Sequence, residues 1–217
     1  MKICLKYFVI LIKFQFLTTI AINAQNIKDS IIKGPLIKIN LAVQKPEIDL
    51  KENYGTNVNI GCSLGWKYKT NTTLELEYNF IHSKNVKQTS VVNHLLNSQG
   101  WIINQFGEEN LYLLYHRGGQ ISVDFGKIFN WLGPNPNCGI HFKTGIGGMF
   151  HKLRIENENN TIPQLSKQYL KYYDRLTIGF LTKQYIGYHH MSNNKLVNFT
   201  IGIEAIEGFT KGMRDYQ

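Results

Sequence analysis

Residues 57–82, NVNIGCSLGWKYKTNTTLELEYNFIH, decide how this chain folds. Val58, Ile60, Cys62, Leu64, Trp66 and Tyr68 fall at alternate positions, with Asn59, Gly61, Ser63, Gly65 and Lys67 between them. After the short polar break Lys69-Thr70-Asn71 the alternation resumes, with Leu74, Leu76, Tyr78 and Phe80 set against Glu75, Glu77 and Asn79. Successive side chains of a strand point to opposite faces, so a period of two is a β signal, and the break makes the pair a hairpin. The strands of soluble sandwiches usually run about 5–6 residues. Strands that cross a bilayer need about 9–11, with one face toward lipid and the other toward the lumen. Both arms of this hairpin belong to the longer class.

The same alternation recurs down the chain. Ile121, Val123 and Phe125 interleave with Ser122, Asp124 and Gly126; Ile140, Phe142 and Ile146 with His141, Lys143, Gly145 and Gly147; Val197, Phe199, Ile201 and Ile203 with Asn198, Thr200, Gly202 and Glu204. Seven strands are expected near 35–43, 57–68, 72–82, 110–129, 138–154, 172–192 and 197–210, with a bulge at Arg117-Gly118-Gly119 and a short helix near Ser90–Ser98. The connections alternate between long (44–56, 83–109, 155–171) and short (69–71, 130–137, 193–196). Outer-membrane barrels show this asymmetry, with short periplasmic turns and long extracellular loops. Aromatic residues gather at both ends of the expected strands. Trp66, Tyr68, Phe129, Trp131 and Tyr188 lie near the short turns, and Tyr78, Phe80, Phe150, Tyr172, Tyr173 and Phe209 near the long loops. The expected fold is therefore all-β: a small antiparallel transmembrane β-barrel of about eight strands when complete. The last of these strands is missing from the seven read here. Glu75, Glu77 and Asp124 are expected to pair inside it with Lys67, Lys127 or Lys143. About eight strands enclose a space that side chains just fill, which disfavours a channel.

The first residues read differently. Lys2 and Lys6 precede apolar stretches at 7–12 and 14–22, and Ala24 offers a small residue for cleavage. This is the pattern of a secretory signal peptide over residues 1–24, leaving 25–217 as the barrel domain. Lys13 interrupts the apolar run, which makes an anchoring helix the poorer reading. The whole chain of 217 residues carries a formal charge of +9, and without Lys2, Lys6 and Lys13 the excess of base over acid is +6. The bases are scattered rather than clustered with aromatics, so no nucleic-acid partner is expected. Outer-membrane lipid and lipopolysaccharide are the expected contacts, together with an envelope protein complex reached through the long loops. Cys62 and Cys138 are not expected to bridge. His141, His151, His189 and His190 place no three or four ligands on one face, so no metal is expected, and no cofactor motif is present.

One stretch carries candidate chemistry. His190-Met191-Ser192-Asn193-Asn194, followed by Glu204, resembles the His-x-Ser-Asn signature of outer-membrane lipid A 3-O-deacylases, which are eight-stranded barrels. The resemblance covers about fifteen residues and implies a Ser192 nucleophile, a His190 base and a Glu204 acid orienting the imidazole. Strand parity puts His190 and Ser192 on the apolar face with Ile186 and Tyr188, and Glu204 on the polar face. Ser192-Asn193-Asn194 also reads as turn chemistry. Tyr185 to Asn193 and Asn198 to Thr210, with 117–129 and 151–156, look like a family of uncharacterised gram-negative outer-membrane barrels; that likeness implies fold and location without an activity. The function expected is a non-catalytic outer-membrane barrel, with the acyl-ester hydrolase as the alternative.

Overall fold

The computed structural model describes residues 30–157, 161–166 and 168–214. The expected signal peptide, residues 1–24, lies outside them. The long strands are β1 (Gly34–Gln44), β2 (Asn57–Lys67), β3 (Thr72–Ser83), β6 (Tyr112–Phe129), β7 (Gly139–Asn157), β8 (Thr177–Met191) and β9 (Asn198–Gly212). A two-residue hairpin, β4 (Ile102–Ile103) with β5 (Glu109–Asn110), lies inside the longest connection. The seven long strands form one antiparallel sheet in the order β1-β2-β3-β6-β7-β8-β9, so each pairs with its successor in the chain. No ladder joins β1 to β9 among the described residues. With seven alternating directions these two edges run parallel to each other.

Parity decides which side of the sheet each residue faces. Asn59, Ser63, Glu75, Glu77, Asn79, Ser122 and Asp124 are buried on the concave side, while Ile60, Leu64, Leu76, Tyr78, Ile121 and Val123 are exposed on the convex side. The arrangement inverts that of a water-soluble sheet protein, whose polar faces point outward. Near the β9 edge one polar pair interrupts the convex face: Thr182 and Glu207 face each other, and Thr182 Oγ1 donates to Glu207 Oε2 at 3.3 Å, while Phe199, Ile201, Ile203 and Phe209 remain exposed there. No helix among the described residues is long and apolar enough to cross a membrane.

Several expectations need correction. The β3–β6 and β6–β7 registers run without a break through Arg117-Gly118-Gly119, so no bulge forms there. Strand β6 is simply long, because its far end pairs with the equally long β7. Residues 172–176 are not strand: Leu170–Tyr173 forms a helical turn and β8 begins at Thr177. Tyr173 consequently leaves the expected aromatic rim and stacks on His94 at 5.7 Å between ring centres. The helix in the longest connection is a 3₁₀ helix, Ser90–Leu95, with Val91 and Val92 buried.

Short turns close one end of the sheet and long connections the other. Asn71 takes a left-handed φ of 59° in the β2–β3 turn, and its side-chain amide donates to the Pro136 carbonyl at 2.7 Å. Asparagine tolerates this conformation better than most residues. At the opposite end, Tyr54, Val91, Val92, Ile102, Ile162 and Leu165 from three long connections pack on Leu153 and Ile155 of β7 as one apolar cluster. The loops therefore cover that end of the concave side.

Gly147 on β7 tests how tightly the strands fit. A Cβ there would fall on the Ile121 carbonyl oxygen and lie 2.7 Å from Ser122 Cα, so backbone would have to move, whereas a Cβ on the neighbouring Gly148 meets nothing closer than Gly179 O at 3.7 Å. Gly147→Val is expected to cost about 1–3 kcal/mol in urea unfolding of the refolded protein. Gly148→Ala is expected to stay within about 0.5 kcal/mol of the parent.

Candidate functional site

The concave side is filled rather than hollow. At the short-turn end Lys67 Nζ donates to Asn71 Oδ1 (2.7 Å), Asn137 Oδ1 (2.9 Å) and the Ile32 carbonyl (3.0 Å). Asn137 in turn donates to the Ser30 carbonyl at 2.8 Å. One buried ammonium thus ties the chain before β1 to two of the three short turns. Above it, His141 Nε2 lies 3.3 Å from Thr73 Oγ1 and His189 Nδ1 lies 2.9 Å from Thr200 Oγ1.

The middle layer is ionic. Lys38 of β1 donates to both carboxylate oxygens of Glu75, at 2.7 and 2.8 Å. Lys143 of β7 reaches Glu77 at 3.3 Å, Asp124 at 3.6 Å and Glu75 at 3.9 Å. Lys183 of β8 reaches Asp124 at 2.6 Å, Glu77 at 2.9 Å and Glu204 at 3.3 Å. Three ammonium groups and four carboxylates from six strands form one connected ion-pair network, in which Glu204 at the edge is the most exposed member. Glycine stands where these groups need room: Gly145 faces Asp124 on one side and Lys183 on the other.

Near the long connections the layer is aromatic. Tyr54 stacks on His116 at 3.8 Å, and His151 meets both rings edge-on at 5.7 and 5.5 Å. Among the described residues neither nitrogen of His116 or of His151 has a hydrogen-bond partner. Among the described residues no three His, Cys, Asp or Glu side chains are arranged to hold a metal ion.

The candidate catalytic residues are dispersed. His190 stacks on Phe199 at 5.0 Å on the convex face. The Ser192 hydroxyl donates to Asn194 Oδ1 at 2.6 Å and accepts from the Val197 amide at 3.0 Å, so it holds the β8–β9 turn. Glu204 belongs to the ionic layer and sits opposite Tyr185, whereas His190 sits opposite Phe199. Five residue steps separate those two rungs, about 17 Å along the strand, and the side chains point to opposite faces. Carboxylate, imidazole and hydroxyl are not brought together.

Of the bases expected to pair inside, Lys143 takes the expected place, while Lys67 and the convex-facing Lys127 do not. Lys67 caps the short-turn end without meeting a carboxylate, and Lys127 donates to the Thr70 carbonyl. Lys38 and Lys183 hold the acids in their stead. Lys38 stands between Ile37 and Ile39 in an alternating run, so its parity was readable. Lys183 stands between Thr182 and Gln184, where the apolar alternation that would have marked its face is lost.

No family model matches the chain, and it matches no curated protein and no solved structure.

Lys183→Met would leave Asp124 and Glu77 buried with only Lys143 between them. Breaking one partner from a buried ionic cluster costs about 3–5 kcal/mol. A drop of that order in urea stability is expected. Glu47→Gln, which removes the exposed contacts to Lys45 and Lys51, is expected to leave the midpoint unchanged.

Proposed function

We propose that this chain is an integral outer-membrane β-barrel without intrinsic catalysis, whose long connections face the cell exterior and contact lipopolysaccharide or an envelope partner. The observation that carries this reading is the inverted sheet. Residues such as Ile39, Leu64, Leu76, Val123, Ile146 and Ile186 are exposed on the convex face, while Lys183, Glu75 and Asp124 are buried on the concave one. An exposed apolar band of this extent is unfavourable in water and favourable in hydrocarbon. Trp66 and Tyr68 at the short-turn end and Tyr78, Phe80 and Phe150 toward the other end are exposed where rings at two interfaces would lie.

Strand direction supports closure. Because β1 and β9 run parallel, a single strand antiparallel to both would complete an eight-stranded ring, and closure is how a β structure satisfies its edges in lipid. The edge residues support this. Ile39 is 88% exposed and Ile203 77%, against 50% for Leu76 and Val123 within the sheet.

The filled interior and the loop cluster over one end support a structural or binding role rather than conduction. Secretion is part of the same reading and rests on the sequence pattern of residues 1–24. The expected behaviour is sedimentation with outer membranes and a gel mobility that changes on heating. Recovery as a soluble periplasmic protein would overturn the reading. Incubated with lipid A, the folded protein is expected to release no 3-hydroxy fatty acid, and Ser192→Ala to behave as the parent does.

A further inference from the structure

On the convex face of β3, β6, β7 and β8, neighbouring rows of side chains differ sharply in character. His82, Arg117 and Lys152 form one row, since His82 pairs with Arg117 and Arg117 with Lys152. The next row toward the sheet centre is Phe80, Gly119, Phe150 and Ile178. Below it come Tyr78, Ile121, Gly148 and Phe180. Gly148 leaves a gap in an otherwise bulky wall, and the Phe150 ring and Tyr78 hydroxyl lean over Gly119 beside it. The result is an apolar groove of about 250 Å³, floored by Gly119 and Gly148 and walled by Tyr78, Ile121, Phe150 and Ile178.

The row above the groove carries excess positive charge. Like charges directly opposite each other across a ladder repel. Lys152 has Asp174 at 3.6 Å, but Arg214 engages the same carboxylate oxygen. Among the described residues Arg117 has no acid partner. Its guanidinium lies over the Phe80 and Tyr115 rings, each at 5.6 Å, and its Nε is buried without a hydrogen-bond partner. Two cationic side chains on one rung of the ladder, neither fully neutralised, suit a phosphate, which accepts several charge-assisted hydrogen bonds at once.

We propose that Arg117, Lys152 and the Gly119–Gly148 groove form a binding site for one phosphorylated, acylated glycolipid of the leaflet that the long connections face. The phosphate lies across Arg117 and Lys152, and one acyl chain lies in the groove. The proposal rests on the membrane-barrel reading and adds a lipid of defined chemistry to it. A lipid that merely surrounds the protein needs neither the glycine floor nor a facing cation pair one row above it.

The test uses the full chain, purified in detergent micelles and offered bis-phosphorylated lipid A, its dephosphorylated form, or phosphatidylcholine. Native mass spectrometry reads the fraction of protein that keeps one lipid. The phosphorylated form is expected to be kept about tenfold better than either of the others, the scale of one or two charge-assisted hydrogen bonds. Arg117→Ala with Lys152→Ala is expected to erase that preference. Gly148→Leu, whose Cβ has open space, is expected to lower retention several-fold with the heat-dependent gel shift unchanged. Equal retention of phosphorylated and dephosphorylated lipid, or a preference that survives the double substitution, overturns the site. So does full retention in Gly148→Leu, or emptying of the site by millimolar inorganic phosphate, which would mark a phosphate site without an acyl part. The gel shift and membrane fractionation of the same sample separate the two levels. Inserted protein that is indifferent to lipid overturns the site alone, whereas protein that does not insert overturns the barrel reading on which the site depends.

Discussion

Lys183 lies within ion-pair distance of Glu77, Asp124 and Glu204, which stand on β3, β6 and β9. Strands β3 and β8 are not neighbours in the sheet; β6 and β7 lie between them. A flat sheet would hold the two side chains far apart, so the contact requires the sheet to curl until its concave face meets itself. Once the polar face is turned inward, every charge on it must find an opposite charge or, as Lys67 does, several hydrogen-bond acceptors. An isolated buried ion costs far more than the few kcal/mol by which proteins are stable. The rest of the interior follows from this constraint. Glycines on β7 give the charged chains room, Lys67 binds two of the short turns, and Lys38 draws the first strand into the same network through Glu75.

The two ends of the sheet are built from different materials, and the difference bears on function. The short-turn end is locked by backbone and amide hydrogen bonds around Lys67, Asn71 and Asn137, which leave little freedom. The long-connection end is covered by an apolar cluster drawn from three separate loops over the Tyr54–His116–His151 layer. Backbone hydrogen bonds such as Gln105 N–H to the Thr161 carbonyl and Gly55 N–H to the Asn85 carbonyl also join these loops, and such loops are where surface proteins usually carry recognition. The proposed lipid site lies just beneath this end, on the outer wall, where a cationic row meets an apolar groove.

Much of the architecture was legible because strand parity is a strictly local property. The alternation in 57–82 gave both the hairpin and the face of each residue, and the expected ranges of β2, β3 and β9 lie within two residues of those observed. The errors fell where local pattern and long-range pairing diverge. Arg117-Gly118-Gly119 looked like a bulge because paired glycines often mark one. Both partner strands instead continue in register past it, and Gly119 serves the convex wall. Residues 172–176 carried strand-like aromatics, yet Tyr173 is drawn into the loop cluster and the segment turns helical.

The candidate triad shows the same division. Sequence placed His190 and Ser192 on one face of a strand and Glu204 on the other, and register put about five residue steps between the imidazole and the acid. What the amino-acid order determined by itself was the period: which stretches are strands, which face of each is polar, and which connections are long. Those depend on the geometry of a single strand. What only the tertiary structure decided was partnership: that Lys38 and Lys183 rather than Lys67 or Lys127 neutralise the interior acids, that three loops share one apolar cluster, and that Arg117 faces Lys152 above a groove. These depend on the register between strands distant in the chain and on the curl of the sheet, which is fixed only when all the buried charges are satisfied together.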